Sequence, residues 1–341
     1  MTMTAQEIPD NSNPPAQPDS PTIRTRLRSL VLSQEGILLL ILVLAVLLLS
    51  TRSDRFLTVE NLLGQGRFLT EVGLVALPMT FIIITGGIDL SVGSIFGLTA
   101  VLLGYFWQNL GLPLELAIAL ALVCGTFAGF MNGWFIVRVG ISPLIMTLAT
   151  LALYRGLALG ISQGHSARGY PEWFYTLGQG DLFGVPTQLW LLLIAGIISA
   201  ILLARTVFGR TLYAIGNNEV ASRFSGLPVN RTKLLIYTFS GFMSALAGYI
   251  FVSRVTTTRS DMGSGLELDV IAAVVVGGTS IFGGRGSIIG TLIGVVLIQL
   301  LKNGLALTGV TGDSTIVVIG VVLIGAVLIN DFIQRRLGRI S

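Results

Sequence analysis

Long apolar runs alternate with short polar connections along most of the chain. One run, from Gly36 to Leu49, contains only glycine and aliphatic residues, and mostly apolar runs follow at 189–204, 288–301 and 316–329. A helix needs roughly 20 mostly apolar residues to cross the hydrocarbon core of a bilayer, which is about 30 Å thick. Several runs reach that length when their flanking positions are included. The pattern therefore predicts membrane-spanning helices.

The same runs argue against a membrane β-barrel, the other structure that satisfies its backbone polar groups in lipid. Barrel strands alternate apolar and polar residues over segments of about ten residues. The runs here are continuously apolar. We therefore expect an all-α integral membrane protein.

Segment length and charge predict about ten membrane segments within a single transmembrane domain that covers 31–334. The segments are approximately 31–50, 68–86, 89–107, 115–137, 142–161, 188–204, 232–252, 266–282, 287–302 and 314–332. Residues 1–20 are rich in Pro, Asn, Ser and acidic side chains, so 1–30 is predicted to be a disordered polar tail. No cleavable signal peptide is expected, because the first apolar run follows this tail.

Composition supports the membrane assignment and excludes several kinds of site. Charged residues make up 11% of the 341 residues, whereas soluble domains carry about 25%. The single cysteine, Cys124, and the single histidine, His165, exclude an internal disulfide, a thiolate metal cluster and a histidine-rich metal site. We therefore expect no metal and no cofactor.

Motifs of enzymes and of ATP-binding proteins are missing from the sequence. It contains no phosphate-binding loop, no His-Glu-x-x-His motif and no nucleophile elbow. The chain is therefore not expected to be an enzyme. The energy for any transport must come from a partner or from an ion gradient.

Basic residues sort the connections into two sides, because cytoplasmic loops of membrane proteins are enriched in Lys and Arg. Those assigned to the cytoplasm are Arg24, Arg26, Arg28, Arg138, Arg205, Arg210, Arg223, Arg231, Lys233, Arg285, Arg335, Arg336 and Arg339. With an even number of segments both termini are then cytoplasmic, and the net charge of +4 requires no nucleic-acid partner. The exception is the connection 51–67, which is predicted outside but holds Arg52, Arg55 and Arg67.

The predicted external connection 162–187 is rich in aromatic residues, namely Tyr170, Trp173, Phe174 and Tyr175. Such residues are typical of the boundary between membrane and water. An interfacial loop helix is the favoured interpretation, and direct contact with a substrate is the alternative.

Glycine clusters interrupt the apolar runs at Gly86-Gly87, Gly277-Gly278 and 283–286. Glycine allows close packing of membrane helices. It also marks broken helices in transporters, where irregular backbone lines a cavity. The stretch from Leu268 to Gly278 is short for a full span, which favours a broken or re-entrant element there, and the two glycine-interrupted regions hint at an internal duplication.

Asp89 and Ser91 lie in the first glycine-interrupted region with almost no loop around them. An ionisable residue between two apolar segments is costly and marks a candidate functional site, such as a transport pathway or a helix terminus. The structural alternative is a helix cap, in which Asp89 or Ser91 accepts backbone N–H bonds. The two roles are compatible.

A short helix is predicted within the longest cytoplasmic connection after the tail, 208–233. Gly216–Asn218 is interpreted as a turn with an Asn cap, and Glu219 follows in the first helical turn, where a negative charge suits the helix dipole. Gly226 and Pro228 end the helix.

Val220 and Phe224 of this short helix are spaced i, i+4 and share one face. A helix of about two turns is marginal in water and needs a partner surface. That surface is either the membrane face of the same protein or a groove in a cytoplasmic protein.

The region 265–290 holds a third set of polar candidates. Glu267 and Asp269 are two positions apart, so they face different directions on a helix and are a poor acid/base pair. We place both at the external mouth. Thr279 and Ser280 are candidates for the pathway or for a helix terminus.

Three stretches of the sequence resemble one known family. They are GGIDLSVGS at 86–94, TVFGRTLYAIGNNEVASRFSGLPVNRTKLLIYTFSGFMSALAG at 206–248, and GSGLELDVIAAVVVGGTSIFGGRGSIIGTLIGV at 263–295. Each is long and they occur in the family's order. From about 35 to 332 the chain resembles the membrane-spanning permease subunit of a bacterial ABC importer of the ribose/xylose/arabinose type.

The resemblance implies a set of partners in the bacterial inner membrane. Two permease subunits, identical or related, would form the pathway for a monosaccharide, two copies of a cytoplasmic ATPase would hydrolyse ATP, and a periplasmic or lipid-anchored protein would deliver the sugar. The segment 206–232 would couple permease to ATPase. The residues assigned to this coupling region are Gly209, Arg210, Ala214, Gly216, Asn217, Glu219, Val220, Ala221, Phe224, Gly226 and Lys233.

An ion-coupled secondary sugar transporter remains the alternative in a different class. It would need no ATPase but would need ion ligands within the membrane, for which Asp89 is the one plausible candidate. The sequence leaves open which sugar is carried.

Overall fold

The computed structural model describes residues 34–310 and a few residues between 314 and 325. The predicted tail 1–30, the first residues of segment 31–50 and most of segment 314–332 lie outside the described residues. The same holds for the basic residues predicted to flank the tail and the C-terminus.

The described chain is almost entirely helical. Its helices are α1 (Gln34–Ser50), α2 (Val59–Ile84), α3 (Val92–Gly104), α4 (Leu114–Trp134), α5 (Pro143–Ser162), α6 (Glu172–Gln179), α7 (Thr187–Arg205), α8 (Val207–Asn217), α9 (Glu219–Phe224), α10 (Val229–Val255), α11 (Leu266–Val276) and α12 (Ile288–Leu307). One-turn π-helices, Tyr105–Asn109 and Phe135–Val139, extend α3 and α4. Strands β1 (Asp181–Leu182) and β2 (Val185–Pro186) form a small antiparallel hairpin, with Asp181 opposite Pro186.

Six of the described helices are long and apolar enough to cross a membrane: α2, α4 with its π turn, α5, α7, α10 and α12. The predicted class, an all-α membrane protein, is confirmed. The described apolar part of α1 is shorter. Helix α11 has 11 residues, about 16 Å at 1.5 Å per residue, so it reaches only part of the way across a bilayer.

The second membrane segment was predicted to begin at residue 68, but its helix begins nine residues earlier. Helix α2 begins at Val59, with Thr58 as its N-cap accepting from the Asn61 amide, rather than at 68. Arg67 therefore belongs to a helix and not to a connection. Its guanidinium lies 3.1 Å from the Asp181 carboxylate and also donates to the Gln179 carbonyl, so this charge is neutralised by the connection between α5 and α7.

Helix α10 lies at the centre of the bundle, packed against α2, α3, α4 and α6. Its crossing with α4 depends on glycine, because a Cβ on Gly129 would lie 2.7 Å from the Gly241 Cα. Such small residues let helix backbones approach closely where lipid supplies no hydrophobic driving force.

The aromatic connection between α5 and α7 forms the predicted helix, α6. Phe174 is fully buried and its ring stacks on Tyr170 at 4.4 Å, while Tyr170 stacks on Trp107 at the same distance. Ser253 of α10 accepts from the Gly178 amide at 2.8 Å. Packing within the protein therefore explains the positions of Tyr170 and Phe174.

The contact between α4 and α10 gives a first testable prediction. Gly129→Ala should destabilise the protein by about 1–3 kcal/mol, because the new methyl group meets backbone atoms that cannot move aside. Gly160→Ala in α5 is the matched control, since no atom lies within 4 Å of the position that its new methyl group would take. Apparent Tm in detergent would be compared, and equal stability of the two variants would contradict the packing argument.

Candidate functional site

The first helix break, residues 85–91 between α2 and α3, is built around Asp89. This side chain is fully buried. Its Oδ1 accepts from the Ser91 amide at 3.0 Å and from the Ser91 hydroxyl at 2.6 Å, and its Oδ2 accepts from the Ser240 hydroxyl at 2.9 Å. Asp89 thus accepts the backbone N–H of Ser91, the N-cap residue of α3, but neither Asp89 nor the Ser91 side chain caps an amide of the first turn of α3.

The Asp89 cluster continues into α4 and α5. The Asn132 side-chain Nδ2 donates to the Ser91 hydroxyl at 2.8 Å, and the Tyr154 hydroxyl donates to the Asn132 side-chain Oδ1 at 3.3 Å. Thr147 donates to the Ile88 carbonyl at 3.2 Å. These hydrogen bonds join the start of α3 to α4, α5 and α10, so the break has a fixed position in the bundle.

The second break, residues 277–287, separates α11 from α12. Gly278, Gly283 and Gly284 have φ values of +92°, +86° and +74°, a region that residues with a side chain rarely adopt. The Ser280 amide donates to the Arg285 carbonyl at 3.0 Å and closes the loop. Segment 266–282 is therefore helical only as far as Val276, as the glycine pattern indicated.

Thr279 and Ser280 are both buried in this second break. The Thr279 hydroxyl is buried without a hydrogen-bond partner among the described residues. The carboxylates near the start of α11 point apart: Asp269 binds Lys302 at 2.5 Å, and Glu267 lies beside Gly93 of α3.

The two breaks touch each other, and α8 contacts both. The Gly284 amide donates to the Ile84 carbonyl at 2.9 Å. Gly216 of α8 leaves no room for a Cβ against these two groups, and the Tyr213 hydroxyl donates to the Gly286 carbonyl at 2.8 Å. Together with the hydrogen bond from Ser240 to Asp89, these contacts bring together the three stretches that carry the family resemblance.

Helix α9 forms where the sequence predicts a short helix. The Asn218 side chain accepts from the Ala221 amide at 2.9 Å, which is the predicted Asn cap. Gly216 and Asn217 are not a turn, however. They are the last residues of α8, because Gly216 must pack against the breaks, and Asn218 alone links the two helices.

Glu219 forms one ion pair within α9 and one that holds α9 to the start of α10. Glu219 binds Lys233 at 2.5 Å and Arg223 at 2.7 Å. Partial burial raises the pKa of Glu219, but the hydrogen bonds and charges of these two cations outweigh it and leave the pKa below its usual range. The opposite face is apolar and open: Val220 is 63% exposed and Phe224 is 89% exposed.

The other residues assigned to the coupling segment surround this contact. Gly209 is buried in the first turn of α8, where its amide donates to the Thr206 hydroxyl at 3.3 Å, and Ala214 is half-buried. Arg210, Ala221 and Gly226 are exposed.

Several structural residues of the site were not singled out from the sequence. Ser240, Asn132 and Tyr213 supply its hydrogen bonds, and a buried ion pair joins Glu71 to Arg254 at 2.7 Å. A polar or charged residue inside an apolar segment is itself a signal, and it would have found all of these except Tyr213.

The Asp89 cluster gives a second prediction. Asp89→Ala should lower the apparent Tm by several degrees, because it leaves the donors on Ser91 and Ser240 without an acceptor, each worth about 1–3 kcal/mol. Asp89→Asn should lower the apparent Tm by less, since asparagine keeps the side-chain volume and one acceptor oxygen. An alanine variant as stable as the asparagine variant would show that these hydrogen bonds do not hold the break.

Comparisons with known proteins show the family of this chain. Residues 63–327 match the family described as branched-chain amino acid transport system / permease component. The ribose import permease protein RbsC of Bacillus subtilis is 42% identical over 291 residues, covering 85% of this chain and 90% of the relative. The autoinducer 2 import system permease protein LsrD of Photorhabdus luminescens is 38% identical over 311 residues, covering 86% and 93%.

A third relative, the ribose import permease protein RbsC of Haemophilus influenzae, is 34% identical over 310 residues, covering 90% of this chain and 95% of its own length. In such importers a separate ATPase subunit hydrolyses ATP, so this chain is not itself an enzyme. The ion-coupled alternative is not supported. The chain belongs to the family of membrane-spanning permease components of bacterial ABC importers.

Proposed function

We propose that this permease moves a monosaccharide or a sugar-like small molecule into the cell, fed by a periplasmic or lipid-anchored binding protein. The substrate class is supported by relatives whose names specify import of ribose and of autoinducer 2. Two permease subunits, either two copies of this chain or this chain and a related one, form the pathway in the inner membrane.

The open face of α9 is the observation that carries the coupling role. Helix α9, capped by Asn218 and tied to α10 by the Glu219–Lys233 ion pair, presents Val220 and Phe224 away from the rest of the chain. Helices with exposed apolar anchors at i and i+4 are suited to a groove in a partner protein. We assign that groove to the cytoplasmic ATPase.

Helix α8 supplies the connection from the ATPase to the pathway. It contacts Ile84 at the end of α2 and Gly284 and Gly286 in the second break. When the ATPase dimer closes and carries α9 with it, α8 acts on both breaks at once. The two breaks then form the element whose arrangement shifts between states open to either side. Asp89, Ser91, Thr279 and Ser280 are positioned in or beside this element.

The contacts among the connections at each pole support about ten membrane passes with both termini in the cytoplasm. The connection 206–228 lies at one pole. The connections that follow α5 and α10 meet at the opposite pole, where the Thr258 amide donates to the Ala167 carbonyl at 3.1 Å. Arg205, Arg210, Arg223, Arg231 and Lys233 cluster at the first pole, which supports a cytoplasmic position for it. Together with α3 and α11 as broken passes, the described helices account for all but the last segment.

The α9 assignment predicts a selective loss of ATPase binding. Phe224→Ala should weaken association with the ATPase by tenfold or more, about 1.4 kcal/mol, because a central aromatic anchor is lost. Phe183→Ala is the control, since Phe183 is an equally exposed aromatic residue (88%) but lies between β1 and β2, outside the coupling segment. Co-purification and ATPase stimulation would be measured, and equal effects of both changes would contradict the assignment.

The energy source gives a further prediction. In proteoliposomes, sugar uptake should require the ATPase subunit, ATP and the binding protein. A proton or sodium gradient alone should drive no uptake above that of empty vesicles. Uptake driven by a gradient without the ATPase would overturn the importer assignment for this chain.

A further inference from the structure

A polar cavity of about 380 Å³ lies at the pole opposite α8 and α9, between the end of α3 and the end of α5. We call it the outer pocket and define it by Tyr105, Gln108, Asn109, Gln163 and His165. It is remote from both helix breaks and from the coupling segment. Ligand pockets for small molecules have volumes of about 300–1,000 Å³, so the outer pocket has room for one sugar ring.

Unusual backbone forms two of its walls. Tyr105–Asn109 is a π-helical turn that widens the end of α3, and such turns occur frequently at functional sites. Gln163 ends α5 with φ +47°, one of three residues other than glycine with positive φ in the described chain. Strain of this kind costs of order 1–3 kcal/mol and clusters at ligand sites.

A glycine and a threonine fix the floor of the outer pocket. A Cβ on Gly104 would lie 2.7 Å from the Ala167 Cβ, so glycine lets the connection after α5 approach α3. The Thr258 hydroxyl accepts from the Ala167 amide at 2.9 Å. The pocket is thus a built feature that joins α3, α5 and the connection after α10.

Free polar groups face this space. The side chains of Asn109, Gln163 and His165 make no hydrogen bond to any described residue, and all three are exposed. His165 is the single histidine of the chain. Gln108 is held in place by its bond to the Arg168 carbonyl.

The chemistry of the lining selects the class of ligand. It contains amides, hydroxyls, an imidazole and a phenol above an apolar floor of Val101, Ile161 and Ala167, and no Asp, Glu, Lys or Arg. A lining without formal charge favours a neutral molecule over a phosphate or an ammonium group. Several hydrogen-bonding groups beside an apolar patch match the two faces of a sugar ring.

We propose that the outer pocket binds a neutral monosaccharide at the external face of the permease, before the sugar reaches the breaks. The inference rests on the proposed transport of a sugar. It adds a site on the permease itself, so that selection of the sugar is shared between the binding protein and this chain.

The test is direct binding to the purified permease–ATPase complex in nanodiscs, without the binding protein. Radiolabelled D-ribose, D-xylose, D-glucose and L-rhamnose serve as probes, and ribose 5-phosphate is the charged counterpart. We expect at least one neutral sugar to bind and the phosphate to bind at least tenfold more weakly. Absence of binding by all four neutral sugars would overturn the proposal.

Three variants locate the site. Asn109→Ala and Gln163→Gly should each weaken binding of the preferred sugar by about tenfold, and glycine at 163 adopts the positive φ without strain. Ser264→Ala is the control, because Ser264 is exposed in the connection after α10, outside the pocket. Equal affinity in all three variants would overturn the proposal.

Transport assays separate this inference from the proposed function. If the pocket variants bind sugar normally but respond less to the binding protein, the pocket is a docking surface and the sugar site is refuted. In that case sugar import by the complete importer still stands. If the complete wild-type importer moves no sugar at all, the proposed function itself fails.

Discussion

Ile84 is the last residue of α2, and its carbonyl oxygen has no partner within its own helix. In a membrane an unsatisfied backbone group costs several kcal/mol. The Gly284 amide, 2.9 Å away, supplies the missing donor from the second break. Each break therefore depends on the other, and the irregular backbone at this depth is possible because the two meet.

Glycine makes this contact possible at two positions. Gly284 adopts φ +74°, and Gly216 of α8 packs against both partners of the hydrogen bond. A side chain at either position would separate the groups. Helix α8 contacts the hydrogen bond between Gly284 and Ile84 directly. If α8 moves, the two breaks must therefore move with it, or the Ile84 carbonyl or the Gly284 amide loses its partner. That constraint is the physical basis of the proposed coupling.

The Asp89 cluster fixes the opposite end of the first break. Asp89 accepts three hydrogen bonds and is fully buried, and a buried charge or polar group is tolerated only when it is paired in this way. Asp89 and Ser91 therefore look more like an anchor for α3 than like a free ligand in a channel. The first break is thus held at Asp89 by the bundle and at Ile84 by α8 and the second break.

Local patterns in the sequence predict local structure well here. Apolar runs located nearly all the described helices, and Asn218, Glu219 and Gly226 defined the short helix α9, because capping and helix length depend on neighbouring residues. The start of α2 was missed because Asn61, Gln65 and Arg67 are polar. Their partners Asn303, Gln299 and Asp181 are distant in the chain, so no window of sequence shows that they are satisfied.

The contact among the three stretches that resemble the family could not be predicted from the sequence either. Gly216 resembles a turn residue because it precedes two asparagines, and only the contact with Ile84 and Gly284 explains why helix continues through it. Glycine patterns mark where a helix breaks, but they do not say what the break touches. The candidate residues could therefore be chosen from the sequence, whereas their common contact required the fold.

Helices α8 and α9 differ in the contacts that hold them in place. Helix α9 has six residues, too few for stability in water, and its ion pairs are partly exposed, where such pairs contribute about 0–1 kcal/mol each. Under the proposed function, contact with the ATPase would therefore add to the stability of α9. Helix α8, in contrast, is fixed by buried contacts with both breaks. In the proposed coupling, α9 would contact the ATPase and α8 would transmit the movement of the ATPase to Ile84 and Gly284.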